Sequence, residues 1–336
     1  RDLGWATGLR VSYIGMRTKS LVWSPDYNQS YYSTEFFQSQ PLSRRPFPNW
    51  GTVNTRTTGA SATYNAAQVE LKHTMKDGLL LNTTYTYASS LADNQGPTPG
   101  GFAGETSGGR SMDYYNRAAE YGPVYATRRH RWMTTALYQL PVGKGRQFGT
   151  NMNPFLDAVV GGWQLMSSLI VQSGPYLTPR FSGGDPSGTG SGIIGRAQHP
   201  DRVKNGNLEN PTRDMWADPT AFVCPATPGW TIGQPCTIGQ SPARDLAPIG
   251  RFGNSGVGIV TGPGTFNLSA GLSKVFSVTE RVKIKLEGTF TNVTNHVNLA
   301  DPNMSIDSNS FGRITQARPA DFGGSRTGQV GARIQF

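Results

Sequence analysis

The residues with chemistry to offer are few and scattered. The stretch "GSGIIG" spaces Gly190, Gly192 and Gly195 as G-x-G-x-x-G. That spacing cradles a dinucleotide only where it leaves a strand and opens a helix, whereas here it lies in the Gly/Ser-rich run "FSGGDPSGTGSGIIGRAQ". No cofactor is expected. The stretch "DPNMSIDSN" sets Asp301, Asn303, Ser305 and Asp307 on alternating positions, with side-chain oxygens of the kind a calcium loop uses. It lacks the central glycine and the closing glutamate of such a loop, which leaves Asp301, Asn303 and Asp307 as an incomplete metal site. His73, His130, His199 and His296 stand in four separate segments. No pair has ligand spacing, and no Ser-His-Asp set or carboxylate pair stands out, so no enzyme is expected. Cys224 and Cys236 are the only cysteines, twelve apart in "CPATPGWTIGQPC". A lone pair with no other metal ligand nearby reads as a loop disulfide formed in an oxidising compartment.

Composition narrows what could position these groups. Of 336 residues, 42 are Gly and 23 Pro, only 15% are charged, and mean hydropathy is −0.42. No window approaches the roughly 18 to 20 apolar residues of a spanning helix. The best, "NPFLDAVVGGW", is short, carries Asp157, and resembles one helical turn capped by Asn153, begun by Pro154 and stopped at Gly161. The net charge of +10 is spread singly along the chain and makes no basic stripe, so nucleic acid is not expected as a partner. The start, "RDLGWATGLRV", lacks the regions of a signal peptide. It is expected either to have lost one or to continue a longer product.

Period-two alternation is the dominant signal. In "RVKIKLEGTFTN", Val282, Ile284, Leu286 and Phe290 oppose Arg281, Lys283, Lys285 and Glu287. Segments near 6 to 16, 62 to 73, 79 to 89, 130 to 140, 162 to 173, 265 to 277, 281 to 292 and 325 to 336 behave alike. At about ten residues each, they suit tilted strands crossing a bilayer. Links alternate between short ones, such as "TMKDG" and "SVTE", and long ones near 17 to 61, 90 to 129, 174 to 264 and 293 to 324. Short turns on one side and long loops on the other is the outer-membrane barrel pattern. A soluble β-sandwich also alternates, but it would need large aliphatics on its inner face and short loops at both ends. Here Tyr87, Trp132, Tyr138, Trp163, Phe266 and Phe276 fall near strand ends, as the two interfacial girdles of a barrel require. The expected fold is an all-β antiparallel transmembrane meander facing outer-membrane lipid.

Two resemblances extend this reading. Gln329, Gly331, Ile334 and Phe336 fit polar-x-Gly-x-x-hydrophobic-x-Phe, which resembles the β-signal recognised by the bacterial barrel-assembly machinery. The stretches "YNAAQVELKHTMKDGLLLNTTYTYASSLAD", "RRHRWMTTALYQLPVGKG", "NPFLDAVVGGWQLMSSLIVQSGPYLTP", "RFGNSGVGIVTGPGTFNLSAGLSKVFSVTERVKIKLEGTFTNVTNHVNL" and "SFGRITQARP" together resemble the C-terminal barrel of Oar-like TonB-dependent outer-membrane transporters. That family implies a barrel of about 22 strands filled by a plug and energised through a TonB box, commonly behind a carboxypeptidase-regulatory-like domain. Residues 1–336 then correspond to the last strands of such a barrel. The implied partners are TonB, reached through the N-terminal part, and an extracellular ligand held by the long loops. The alternative is a small self-contained barrel with a structural or adhesive role. Inward faces would carry Arg10, Lys72, Arg131, Lys283, Lys285 and Arg333 with Glu70 and Glu287, either drawing in anionic solutes or bonding to the plug and to one another.

If the terminal strand is an assembly signal, Phe336→Ser in the complete receptor will lower the outer-membrane level of heat-modifiable barrel severely. Losing one buried Phe, worth about 1.5 to 3 kcal/mol, would not account for that. An unchanged level would refute the assembly role.

Overall fold

A computed structural model describes residues 1–39, 43–93, 112–191, 198–319 and 323–336. Strands form where the alternation predicts them. The long ones are β1 (Thr7–Trp23), β2 (Thr57–Lys76), β3 (Leu79–Ala92), β5 (His130–Gln139), β6 (Trp163–Gln172), β11 (Thr265–Ser277), β12 (Lys283–Thr291) and β13 (Thr327–Gln335). Two-residue strands lie between them: β4 (Gly122–Pro123), β7 (Tyr176–Leu177), β8 (Asp201–Arg202), β9 (Phe222–Val223) and β10 (Val260–Thr261). The long strands form one antiparallel meander, β1-β2-β3-β5-β6-β11-β12-β13, with β4 attached to β3. The outer edges of β1 and β13 are not paired with each other, so the sheet is an open wall.

The turns follow from local chemistry. Asp77 and Gly78 both have positive φ, 50° and 81°, the requirement of a two-residue hairpin whose twist matches its strands. A Cβ on Gly78 would also lie 2.9 Å from the Gln139 carbonyl oxygen. Between β5 and β6, helix α1 (Pro154–Val160) starts at Asn153, whose side chain accepts from the Leu156 N–H at 2.7 Å, and stops at Gly161. The β1–β2 hairpin runs further than the alternation indicated. The loop expected over 17 to 61 is strand to Trp23 and again from Thr57, because a bulge at Ser20, with φ 62°, resets the register and lets pairing continue.

Register sorts the side chains into two faces. The row Ser12, Gln68, Thr86, Arg131, Gln172 and Thr265 crosses six strands and is polar throughout. The next row, Val11, Val69, Tyr85, Trp132, Val171 and Phe266, points the other way and is apolar throughout. That apolar face is open, with Val11 70% and Trp132 47% exposed. The buried residues within the wall are mostly small, such as Ala60, Ala66, Ala88 and Ala92.

The hydrophobic core lies elsewhere. Phe181, Phe222, Trp230, Ile238, Val260, Ile306 and Phe311 pack together, and all come from the long connections after β6 and after β12. These loops form a cap at the end of the wall away from the tight turns.

Leu169 sits mid-strand on the apolar face, opposite Thr134 and Leu268. Leu169→Arg will cost about 2 to 4 kcal/mol in denaturant titrations of the complete protein in lipid vesicles, whereas Ser168→Arg on the polar face will cost far less. Equal costs would refute the assignment of faces.

Candidate functional site

Two surfaces can meet a solute: the polar face of the wall and the cap. On the polar face the register gathers Arg10, Glu70, Lys72, Arg131, Lys283, Lys285, Glu287 and Arg333, the residues expected to face inward. Arg10 pairs with Glu70 at 2.9 Å, directly across β1 and β2. Lys285 pairs with Glu287 on its own strand and stands opposite Arg333. Cations outnumber carboxylates on this face, making it an attractive surface for anions.

The expected girdle residues share the opposite face and divide into two belts. Tyr87, Trp132 and Phe266 lie at the cap end, while Tyr138, Trp163 and Phe276 lie at the turn end. Tyr13 and Tyr85 join the first belt, unforeseen because each sits inside its strand rather than near its end. Their polar tips are satisfied: Tyr13 Oη donates to Asn65 Oδ1 at 2.6 Å, and Trp132 Nε1 donates to Thr83 Oγ1 at 2.7 Å. At the turn end Lys274 is buried between the rings of Trp163 and Phe276, and its Nζ donates to the Asp157 carbonyl of α1 at 3.0 Å. Of the terminal-signal residues, Gln329 and Gly331 fall on the polar face and Ile334 on the apolar face; Phe336 is fully exposed beyond β13.

Where wall meets cap, a cavity of about 510 Å³ is lined by Gln68, Asn82, Thr86, Thr127, Arg128 and Arg131. Arg128 donates to the Tyr125 carbonyl at 2.7 Å. Burial lowers the pKa of its guanidinium, and like-charge repulsion from Arg318 and Arg131 adds to this. Above it, Tyr125 Oη donates to Asp301 Oδ2 at 2.6 Å and Arg318 pairs with Asp301 Oδ1 at 3.3 Å. Burial and that hydrogen bond raise the Tyr125 pKa.

This clamp decides the fate of the incomplete metal site. Asp301 is engaged by Tyr125 and Arg318. Asn303 donates to Ser308 and Ser310, and Asp307 accepts from Ser182. The three side chains therefore serve separate protein donors and acceptors and do not converge, and among the described residues no group of His, Cys, Asp and Glu gathers as a metal site. The histidines are equally dispersed. His73 meets Thr7 at 2.8 Å, His130 meets Tyr85 at 2.7 Å, and His296 stands edge-on to Phe266. Gly190 donates its N–H to the buried Asp185 carboxylate at 2.8 Å; Gly192 and Gly195 lie outside the described residues.

The cap is the feature that sequence reasoning missed. Cys224 and Cys236 are disulfide-bonded with Cα atoms 5.5 Å apart, buried in its core beside Trp230. Two buried asparagines moor it to the wall. Asn298 exchanges bonds with both backbone groups of Phe266, at 2.8 and 2.9 Å, and Asn292 holds the carbonyls of His296 and Gly324. The one available signal was large apolar residues inside Gly/Pro-rich connections, flanking the cysteine pair.

An amphipathic antiparallel wall, apolar and girdled outside, polar within, with a folded loop cap at one end, is the wall of a bacterial outer-membrane barrel. The chain belongs to the family described as an outer membrane beta barrel domain, which matches residues 1–329. The outer membrane is thus its location. No functionally curated protein matches it. Among solved structures it is similar to the outer membrane transporter YddB from Escherichia coli, at 7% identity and a TM-score of 0.46, covering 100% of this chain and 31% of that one. The chain thus spans less than a third of that transporter's length.

His199 generates a pH dependence in the cap. Burial lowers its pKa, the nearby Glu120 opposes this, and Nδ1 has no hydrogen-bond partner among the described residues. The folded cap therefore holds the neutral ring, while the unfolded chain takes up a proton below about 6.5. Stability from His199 is present above that value and lost as pH falls toward the lowered folded pKa. Asp185, whose pKa burial raises from 3.8, acts in the opposite sense and gains as it protonates. Hydrogen-exchange protection over residues 198–261, taken relative to the intrinsic rate at each pH, will fall on acidification below about 6.5, and His199→Phe will flatten that response. An unchanged slope in the variant would refute the assignment.

Proposed function

We propose that this chain is part of the barrel of a TonB-dependent transporter. Its cap captures a solute outside, and the polar face guides that solute inward once a plug moves. The observation that carries this reading is the pairing of a polar, cation-rich inner face with a cap whose loops have their own folded core. A cap that served only to close loops would not need a disulfide, a hydrophobic core and buried asparagine moorings. The resemblance of five sequence stretches to Oar-like receptors supports the same reading. The outer edges of β1 and β13, which pair with no other long strand among the described residues, favour further strands completing a barrel of about 22 over closure of these eight on themselves, because an open edge in lipid leaves backbone groups without partners. On this reading the charges of the polar face meet the plug or one another when the transporter rests, and TonB acts through the N-terminal part.

The test compares cells expressing the complete receptor with cells lacking it, following depletion of medium solutes by mass spectrometry with and without an uncoupler. At least one solute will disappear only with both the receptor and the proton-motive force. Receptor-dependent depletion that survives the uncoupler, or none at all, would overturn energised uptake.

A further inference from the structure

The cap holds a second cavity, of about 450 Å³, between the segment 112–121 and the segment 251–256. Its size suits a small ligand. Its chemistry is specific in three respects.

First, two tyrosine rings on its lining are held in place by their own hydroxyls. Tyr32 Oη donates to Asp113 Oδ2 at 2.6 Å, with its ring edge-on to Phe252 and Tyr115. Tyr121 Oη bonds to Thr63 Oγ1 at 2.9 Å. Both rings remain about two-fifths exposed, at 41% and 43%, so pinned aromatic surface is presented to solvent. Preorganised rings spare a ligand the ordering cost of the side chains that receive it.

Second, the charged groups at the cavity already have protein partners. Arg251 grips Asp201 through two bonds of 2.7 and 2.8 Å, and Asp113 accepts from Tyr32 and from the Tyr115 N–H.

Third, the polar groups left over are neutral. The Asn116 side chain makes no capping bond. Asn254 spends its carbonyl on the Arg202 N–H at 2.8 Å, and its NH₂ has no acceptor among the described residues.

Pinned aromatic faces beside uncharged donors and acceptors match a molecule with apolar C–H faces and a rim of hydroxyls. We propose that this cavity is a binding site for a neutral saccharide of one or two rings. The rings of Tyr32 and Tyr121 pack against the C–H faces of the sugar, while Asn116 and Asn254 bond its hydroxyls. The proposal identifies a solute class for the capture step proposed above and rests on that reading only for the cap facing outward.

The test uses the complete receptor in detergent, with maltose, cellobiose and chitobiose as probes and cellobiuronic acid and Ala-Ala as controls, read by calorimetry and saturation-transfer NMR. At least one neutral disaccharide will bind, and Tyr121→Ala and Asn254→Ala will each weaken it by about tenfold or more. Glu209→Gln, exposed and outside the cavity, will leave the affinity unchanged. Asn116→Ala separates folding from binding: its side chain makes no capping bond, so the cap keeps its stability while affinity falls. Binding by none of the neutral disaccharides, tighter binding of a control, or affinity that survives the Tyr121 and Asn254 variants would overturn the proposal. Saccharide binding that persists without energised uptake would instead count against the transport reading alone.

Discussion

In a bilayer no backbone N–H or C=O can turn to water, so each strand of this protein must find its partners in neighbouring strands. Everything else in the wall depends on that constraint. The meander satisfies it by pairing each long strand with its chain neighbours through tight turns or single long connections. Strict pairing fixes register, and register fixes faces, since a slip of one residue would carry Arg131 and Gln172 to the lipid side and Trp132 and Val171 to the lumen.

The same chain solves a different problem at the cap. Outside the membrane, water again makes apolar burial favourable, and the long loops fold accordingly around Phe181, Phe222, Ile238 and Ile306, all without exposed surface. One protein therefore turns its apolar residues outward in the wall and inward in the cap. The change occurs at the ends of β6 and β11, where Asn298 takes over the backbone groups of Phe266 and the Tyr125–Asp301–Arg318 clamp ties the connection before β5 to the one after β12.

Charge follows the same division. On the wall, cations are in excess and several have no carboxylate facing them, consistent with a surface that meets something mobile. In the cap, charges form fixed pairs, Arg251 with Asp201 and Arg318 with Asp301.

Alternation in the sequence was enough to place all eight long strands, their order and the two faces, because in a membrane wall each side chain's environment is set by its own strand's parity. The Asp77–Gly78 turn and the Asn153 cap were legible for the same reason: their causes lie within a few residues. The β1–β2 extension was not, since Ser20 resets the parity and only the facing strand shows that pairing resumes. The roles of Asp301, Asn303 and Asp307 were not legible either. Their spacing in sequence suggested an incomplete cation site, but Tyr125, Arg318 and Ser182 approach Asp301 and Asp307 from distant loops, and Ser308 and Ser310 take Asn303. The cap and its cavity belong wholly to tertiary structure, because irregular loops have no period, and residues as far apart as Tyr32, Asn116 and Ser255 become neighbours only when a core between them has formed.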